Sequence, residues 1–248
     1  MSANVGAKDI VTEGLVLYLD AANYKSYTSG STVWNDLTAN MYSGSLINGP
    51  TFSSTNGGSI LFDGVDDYVN CGDSSISSSA FNFGTGNFSV SVYVKNSTSI
   101  RRTILSKFDY SGLVTPEIGY YMDILATGIV RTGFETDGNN YRITDSTILV
   151  NDNKWHNIVL IRSAQNTAQV YIDGLFNTSN TLIAGTVTTT NSVAPLTIGR
   201  EFDYTTPYPP GVTYYSGSIS IVQIYNRALS ATEILQNYNA TKARFGLT

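Results

Sequence analysis

The stretch with the densest chemistry is SILFDGVDDYV, residues 59–69, in which three carboxylates occur within five residues. Asp63, Asp66 and Asp67 would repel one another at neutral pH unless something offsets their charge. Three interpretations follow: a metal site, a pair of catalytic acids, or a turn at Asp63-Gly64 with Asp66 and Asp67 facing solvent. An EF-hand is excluded, because its acids alternate along the loop and end in a distant glutamate.

The composition narrows the chemistry that these acids could perform. The chain of 248 residues has a net charge of -5 and no basic cluster beyond Arg101–Arg102, so we expect no nucleic-acid partner. Cys71 is the only cysteine and His156 the only histidine. A zinc site would therefore have to consist of carboxylates, whereas calcium prefers oxygen ligands. His156 follows Trp155 at the start of an apolar run, and we interpret it as a strand residue beside a core tryptophan.

The sequence contains no signal for a membrane or for secretion. No stretch of 18 apolar residues occurs, and MSANVGAKDIVTEG lacks the basic start and apolar run of a signal peptide. We therefore expect a soluble protein that is made in the cytoplasm and has no membrane partner.

The elements that would position these residues are short strands. In FSVSVYV the apolar residues from Phe88 to Val94 alternate with Ser89, Ser91 and Tyr93. Such alternation is typical of a sheet with one face in the core. The predicted strands are 14–19, 59–62, 88–94, 103–107, 118–124, 128–134, 155–162, 168–172, 196–199 and 218–225.

Two local signals predict a hairpin and a helix. Asp-Gly at 173–174 lies between two β runs and favours a hairpin turn. Ser230 and Glu233 have the spacing of a capping box, so we expect a short C-terminal helix that seals an end of the sandwich. Its apolar stripe at helical spacing consists of Ile234, Leu235 and Tyr238.

Ten or more strands with turn signals between them predict an all-β fold, a two-sheet antiparallel jelly-roll sandwich with one short helix. We expect one domain over residues 14–248. Residues 1–13 precede it as an N-terminal arm, either a docking segment or a disordered leader.

Several motifs support a more specific resemblance. The following occur in the order seen in laminin-G-like domains: GLVLYLDAANYKSY, GGSILFDGVDDYV, FSVSVYV, KWHNIVLIR, AQVYIDG and GSISIVQIYNRALSATEI. The resemblance spans about Gly14 to Tyr238 and implies the concanavalin A-like lectin and glucanase fold, with a concave face, a convex face and end loops that bind ligands. The opening and closing motifs are most similar to those in structural proteins of tailed bacteriophages. The resemblance constrains fold more than function.

The resemblance argues against catalysis. Related endoglucanases carry a Glu-x-Asp-x-Glu strand, which places two acids on the concave face as nucleophile and acid/base. Here ETDGN supplies Glu135 and Asp137, EFDYT supplies Glu201 and Asp203, and each lacks the third acid. We therefore predict that the chain is not an enzyme.

The resemblance also bears on calcium. Related domains often hold one structural calcium near the FDGVDDY motif, together with an acidic residue on the last long strand. In this chain Ser220 and Ile221 occupy the positions that are usually acidic. A solvent-facing turn is therefore favoured over a calcium site. The ligands of such a site would be Asp20, Asp63, Asp66 and Asp67.

The most unusual loop is REFDYTTPYPPGVTYYSG, residues 200–217, which holds three prolines and four tyrosines. It is interpreted as a sugar-stacking platform, a contact with a neighbouring subunit, or a self-packed cover over the sandwich end. The subunit contact is favoured, because tyrosine-rich surface with little charge suits protein interfaces. The candidate ligand or interface residues are Tyr204, Tyr208, Tyr214 and Tyr215.

These observations predict a noncatalytic structural or adhesive protein of a phage virion, displayed as a fibre, knob or capsid decoration. Its partners would be other virion proteins and copies of itself, with a trimer as the arrangement suggested by analogy. One alternative is a calcium-assisted lectin that recognises host surface glycans. The other is a glycoside hydrolase.

Overall fold

The fold is known from a computed structural model, which describes residues 9–72, 80–108, 118–135, 141–164, 167–181, 189–201 and 214–248. These residues form sixteen strands: β1 Leu15–Asp20, β2 Val33–Trp34, β3 Gly44–Ile47, β4 Thr51–Ser53, β5 Ser59–Asp63, β6 Tyr68–Asn70, β7 Phe88–Lys95, β8 Arg102–Phe108, β9 Gly119–Ile124, β10 Ile129–Glu135, β11 Tyr141–Leu149, β12 Trp155–Ser163, β13 Thr167–Ile172, β14 Leu175–Thr181, β15 Thr197–Ile198 and β16 Ser216–Tyr225. The predicted all-β architecture is confirmed, and each of the ten predicted strands corresponds to one of these sixteen.

The strands form two antiparallel sheets of eight strands each. Sheet A has the order β14-β13-β12-β7-β16-β5-β4, and β1 also pairs with β16. Sheet B has the order β11-β10-β9-β8-β15-β6-β3-β2. Side chains from the two inner faces, such as Val92 and Ile224 from sheet A and Met122 and Ile198 from sheet B, are fully buried in one core.

The hairpin predicted at residues 173–174 joins β13 to β14. Asp173 and Gly174 have φ angles of 51° and 78°. Two successive positive φ values are typical of a type I′ turn, in which Asp-Gly is favoured. The local sequence is therefore sufficient to specify this connection.

The predicted helix is α1, Ala231–Thr241, and it begins with the predicted capping box. Ser230 Oγ accepts the Glu233 N–H at 3.3 Å, and Glu233 Oε2 accepts the Ser230 N–H at 2.8 Å. Its expected location at an end of the sandwich is wrong. α1 and the following 3-10 helix, Lys242–Phe245, pack across the outer face of sheet A, where Ile234 contacts the cluster around Val159 and Tyr171.

This covering layer changes two expectations. The alternation in β7 predicted one face in the core, yet Ser89, Ser91 and Tyr93 on the other face are each at most 2% exposed. Tyr93 packs against the C-terminal helices, and Ser89 Oγ bonds to the segment before α1 through the Leu229 N–H at 2.9 Å. In the apolar stripe of α1, Leu235 is 41% exposed, and Asn237 is buried in its place. Asn237 Oδ1 accepts the N–H of Val11 at 2.8 Å, so this position is used to bind the N-terminal segment.

Residues 9–13 of the predicted N-terminal arm contact the domain. Besides the bond from Val11 to α1, the carbonyl of Val11 accepts the Tyr225 hydroxyl at 3.0 Å, and Gln236 donates to the Asp9 carbonyl at 2.7 Å. The remaining residues of the arm, 1–8, lie outside the described residues. Among the described helices, none is both long and apolar enough to cross a membrane.

Candidate functional site

The three carboxylates of residues 63–67, here called the acidic turn, come together in space. Asp63, Asp66 and Asp67 each offer one oxygen within 4.8 Å of the others. Gly64 has a φ of 80°, and a Cβ there would lie 2.7 Å from Cβ of Ser216, so the turn requires glycine. The predicted turn at Asp63-Gly64 is confirmed.

Asp67 does not face solvent as expected. It is 4% exposed, and its Oδ2 accepts the Asp63 N–H at 3.0 Å. Burial raises the pKa of Asp67, and the charges of Asp63 and Asp66 raise it further, against the lowering effect of that hydrogen bond. Clustered carboxylate oxygens are the donor type that calcium binds, so the acidic turn fits a hard cation. Asp63, Asp66 and Asp67 would be its ligands.

Asp20, the fourth predicted calcium ligand, lies elsewhere and does not belong to this cluster. Its Oδ1 accepts a hydrogen bond from Arg244 Nη1 at 2.7 Å and one from the Ala22 N–H at 3.0 Å. A guanidinium therefore neutralises the charge of this carboxylate. The prediction that Asp20 shares a cation with the acidic turn is corrected accordingly.

The two described tyrosines of the 200–217 loop have different environments. Tyr215 is fully buried and packs edge-on against Phe62 at 5.9 Å, so it is a core residue and not the exposed contact that was expected. Tyr214 is half-buried, and its carbonyl accepts Arg102 Nη1 at 2.9 Å. Arg102 Nη1 also donates to the Gly64 carbonyl at 3.0 Å, which ties Tyr214 to the acidic turn. The predicted residues Tyr204 and Tyr208 lie outside the described part of the chain.

An arginine contacts two tyrosine rings beside the acidic turn. The Arg200 guanidinium lies 4.7 Å from the centroid of the Tyr68 ring and 5.9 Å from that of Tyr214. Both distances fall within the range of cation–π attraction. Both rings are half-buried, so each keeps exposed aromatic surface.

A second charged cluster lies next to Arg200 on the outer face of sheet B. Arg101 Nε and Nη2 donate to Asp123 Oδ2 at 2.9 and 2.7 Å, and Nη2 lies 3.4 Å from Glu201 Oε2. Thr103 Oγ1 donates to the other oxygen, Asp123 Oδ1, at 2.9 Å. Burial raises the pKa of Asp123, while the hydrogen bonds from Arg101 and Thr103 oppose that rise. Glu201, a candidate catalytic acid, is thus part of an ion-pair network.

Sequence reasoning missed this cluster, because Arg101, Asp123 and Glu201 are far apart in the chain. One signal was present: Asp123 is an acid inside the apolar run IGYYMDI. A buried carboxylate needs a partner, so such a residue indicates a cation on a neighbouring strand. The neighbouring residues Tyr121 and Arg131 extend the polar surface, and Arg131 Nη2 pairs with Asp145 Oδ2 at 2.7 Å.

The histidine expected beside a core tryptophan has two acidic partners. His156 Nδ1 lies 2.8 Å from Asp173 Oδ2, and Nε2 lies 3.1 Å from Asp152 Oδ1. Burial opposes protonation, but the bonds and charges of Asp173 and Asp152 prevail and raise the pKa of His156 above its ordinary value. Both ring nitrogens are engaged by carboxylates, so His156 links the β13–β14 hairpin to the loop before β12.

Comparison with known proteins identifies the family. The sequence model of Laminin_G_3, described as the concanavalin A-like lectin/glucanases superfamily, matches residues 63–235, which is more than half of the chain. No curated protein matches the chain in sequence.

Solved structures support the same fold. The binding domain of Paraclostridial Mosquitocidal Protein 1 is 14% identical, with a TM-score of 0.67, and the match covers 92% of this chain and 52% of that one. The botulinum neurotoxin serotype G binding domain is 14% identical, with a TM-score of 0.62, and 90% of this chain and 50% of that one are covered. The binding domain of botulinum neurotoxin DC, in complex with SialylT, is 12% identical, with a TM-score of 0.60 and coverages of 92% and 52%. The chain therefore spans about half the length of these structures.

Proposed function

Because the chain belongs to the concanavalin A-like lectin/glucanases superfamily, we propose that it is a noncatalytic module that binds glycans through the outer face of sheet B. The observation that carries the proposal is the arrangement of Arg101 and Arg200. Each guanidinium is fixed by neighbours, and both lie on one surface with half-buried tyrosine rings. Tyrosine suits ligands that are apolar on one side and hydroxylated on the other, as sugar rings are.

The acids of this surface do not have the arrangement of a glycosidase. A retaining enzyme needs a nucleophile and a proton donor, each free to reach the substrate. Here both oxygens of Asp123 accept hydrogen bonds, from Arg101 and Thr103, and the same guanidinium contacts Glu201. These contacts favour a structural role for the two acids, which position Arg101.

Structural neighbours give weaker support for the ligand class. The binding domain of botulinum neurotoxin DC was solved in complex with SialylT and also in complex with rat synaptotagmin II. Their identity to this chain is only 12%, so they establish the fold and leave the glycan ligand as a proposal.

The test is a glycan array read with the full chain, followed by titration of each ligand found. Tyr68→Ala and Tyr214→Ala should each weaken binding about twofold to tenfold, since an aromatic contact contributes about 0.5–1.5 kcal/mol beyond its buried area. Phe176→Ala is the control, because Phe176 is a 56% exposed aromatic residue on β14 of sheet A and lies outside the proposed surface. Loss of binding with Phe176→Ala alone would contradict the proposed surface.

Two further measurements address the alternatives. Release of reducing ends from a bound polysaccharide, abolished by Glu201→Gln, would show that the chain is a glycoside hydrolase. A calcium-assisted lectin predicts that EDTA removes binding and that Asp66→Asn has the same effect. Asp66 is the variant of choice, because it is exposed and its substitution disturbs the fold least.

We further propose that this module is part of a phage virion, as a homo-oligomeric fibre, knob or capsid decoration. It is supported by the similarity of the opening and closing motifs to phage structural proteins. Purified particles should then contain the chain in fixed proportion to the major capsid protein, and light scattering of the isolated chain should give an oligomer such as a trimer. Absence of the chain from purified particles would overturn the virion assignment.

A further inference from the structure

A large open pocket lies on the opposite side of the molecule, at the outer face of sheet A. This β1 pocket has a volume of about 980 Å³. It is lined by residues of the N-terminal segment, of β1 and the turn after it, of 37–39, and of the C-terminal helices. The volume is at the upper end of the range of about 300–1,000 Å³ typical of small-molecule sites. Segments that are distant in the chain therefore converge on one concave site that shares no residue with the strands of sheet B.

The floor of the β1 pocket is a fixed polar group. Asp20 accepts Arg244 Nη1 at 2.7 Å and the Tyr18 hydroxyl at 3.3 Å. Arg244 is held in place by further bonds from Nε to the Asn56 carbonyl at 2.9 Å and from Nη2 to the Gly58 carbonyl at 3.2 Å. The two charged side chains are thus positioned before any ligand arrives, which reduces the entropy lost on binding.

The polar floor of the β1 pocket keeps both a hydrogen-bond donor and a hydrogen-bond acceptor for a ligand. A carboxylate has about four acceptor sites, and among the described residues Asp20 uses three, for Tyr18, Ala22 and Arg244. Arg244 Nη1 has two hydrogens and donates one of them to Asp20. Oδ1 takes two of these bonds and Oδ2 takes one, so the remaining acceptor site is on Oδ2. Because Asp20 and Arg244 both line the pocket, one acceptor and one donor border the same space. A hydroxyl group, which both donates and accepts, is complementary to this pair.

The lining also restricts the charge and shape of a ligand. Two acidic side chains, Asp9 and Asp20, are balanced by two basic ones, Lys25 and Arg244, so the site favours neither anions nor cations. Apolar walls face this polar floor and are formed by Ile10, Leu15, Leu37 and Ala240. A neutral ring with one C–H face and a hydroxylated edge matches both surfaces.

We propose that the β1 pocket binds a neutral, hydroxyl-rich small molecule, namely a sugar unit, through a hydroxyl held between Asp20 and Arg244. The site is independent of the glycan-binding surface proposed on sheet B. The sugar unit comes either from free sugars or from the end of a longer glycan, and the two sources share the same recognising chemistry.

The test is ligand-observed NMR and calorimetry with the full chain. One arm uses free glucose, galactose, mannose and N-acetylglucosamine, and the other uses their di- and trisaccharides. Ala240→Phe fills the pocket from α1 and should weaken binding at least about tenfold, or about 1.4 kcal/mol. Ala231→Phe is the matched control, because it makes the same change at an exposed position at the other end of the same helix, outside the pocket.

A second variant that blocks the pocket keeps the test possible if Ala240→Phe does not fold. Ala39→Trp acts from the opposite, exposed wall, so a folded pocket-blocked protein is available even if Ala240→Phe does not fold. Binding that disappears with either blocking variant and persists with Tyr68→Ala supports the proposal. No binding of any sugar in either arm, or binding that both folded blocking variants leave unchanged, overturns it. Binding lost only with Tyr68→Ala likewise overturns it and assigns the ligand to sheet B.

Discussion

Replacing Arg244 by methionine should destabilise the domain far more than the same replacement at Arg131. Both guanidinium groups lie 2.7 Å from a carboxylate oxygen, Asp20 for Arg244 and Asp145 for Arg131. They differ in burial: the side chains are 19% and 12% exposed in the first pair but 37% and 39% exposed in the second. The two pairs therefore share the same contact distance and differ in burial and in the further bonds that Arg244 makes.

The expected magnitudes follow from what each change leaves behind. Arg244→Met leaves the Asp20 carboxylate buried and without its cation, and it also removes donors to the carbonyls of Asn56 and Gly58. Loss of one partner from a buried pair costs about 3–5 kcal/mol, and the partial exposure here places the cost near the lower figure, at about 3 kcal/mol. Arg131→Met removes a surface pair and should cost less than about 1 kcal/mol.

The measurement is urea unfolding at pH 7 followed by tryptophan fluorescence. Both tryptophans report on the fold, because Trp34 is fully buried and Trp155 is 6% exposed. An unchanged dependence on urea concentration would show that the variants unfold from comparable structures. Equal losses of stability for Arg244→Met and Arg131→Met would refute the reasoning. The cost would then depend on the 2.7 Å contact that both pairs share and not on burial.

Three further predictions concern titration and capping. Asp173 and Asp152 raise the pKa of His156 in the folded state, so protonated His156 stabilises the fold fully below its ordinary pKa of 6.5. This stabilisation is lost as the pH rises through the folded pKa. His156→Gln should remove this pH dependence from the free energy of unfolding. Burial lowers the pKa of Lys107 to about 8 from 10.5, so stability should increase between these values by up to about 1.4 kcal/mol per pH unit, and Lys107→Met should abolish the increase. Ser230→Ala should cost about 1 kcal/mol through loss of the helix cap, read as a lower melting temperature, whereas Ser230→Asp should retain most of the stability.

The predicted strands succeeded where apolar and polar residues alternate over several positions. FSVSVYV and WHNIVLIR carry enough β-branched residues to define β7 and β12 with nearly correct ends. β2 and β6 have only two and three residues, too few for a period to be detected. β14, LFNTSNT, is an edge strand whose start follows from the Asp-Gly hairpin signal, but its last five residues are polar and carry no strand signal, so its length depends on pairing with β13.

Functional residues were likewise predicted correctly where they are close in the chain, and wrongly where they depend on long-range contacts. The acidic turn was predicted, because its three carboxylates are neighbours in the chain and a tight turn keeps them close. Asp20 was assigned wrongly, since the end of β1 gives no indication that Arg244, 224 positions later, pairs with it. The helix was predicted from its capping box, but the surface it covers depends on long-range packing. For that reason Leu235 was expected to be buried, and it is exposed.

The position of the C-terminal helices determines which surfaces are left for ligands. On the outer face of sheet A, Tyr93 is buried against these helices, and Ser89 and Ser91 are buried as well, so the centre of that face cannot contact a glycan. Arg101 and Tyr121 on sheet B keep partial exposure. At the side of α1, where the helix leaves part of β1 uncovered, the β1 pocket forms. A helix that sealed an end of the sandwich would have left both outer faces open. Its observed place instead leaves the outer face of sheet B and the border of the helix uncovered, which are the two surfaces where we propose binding.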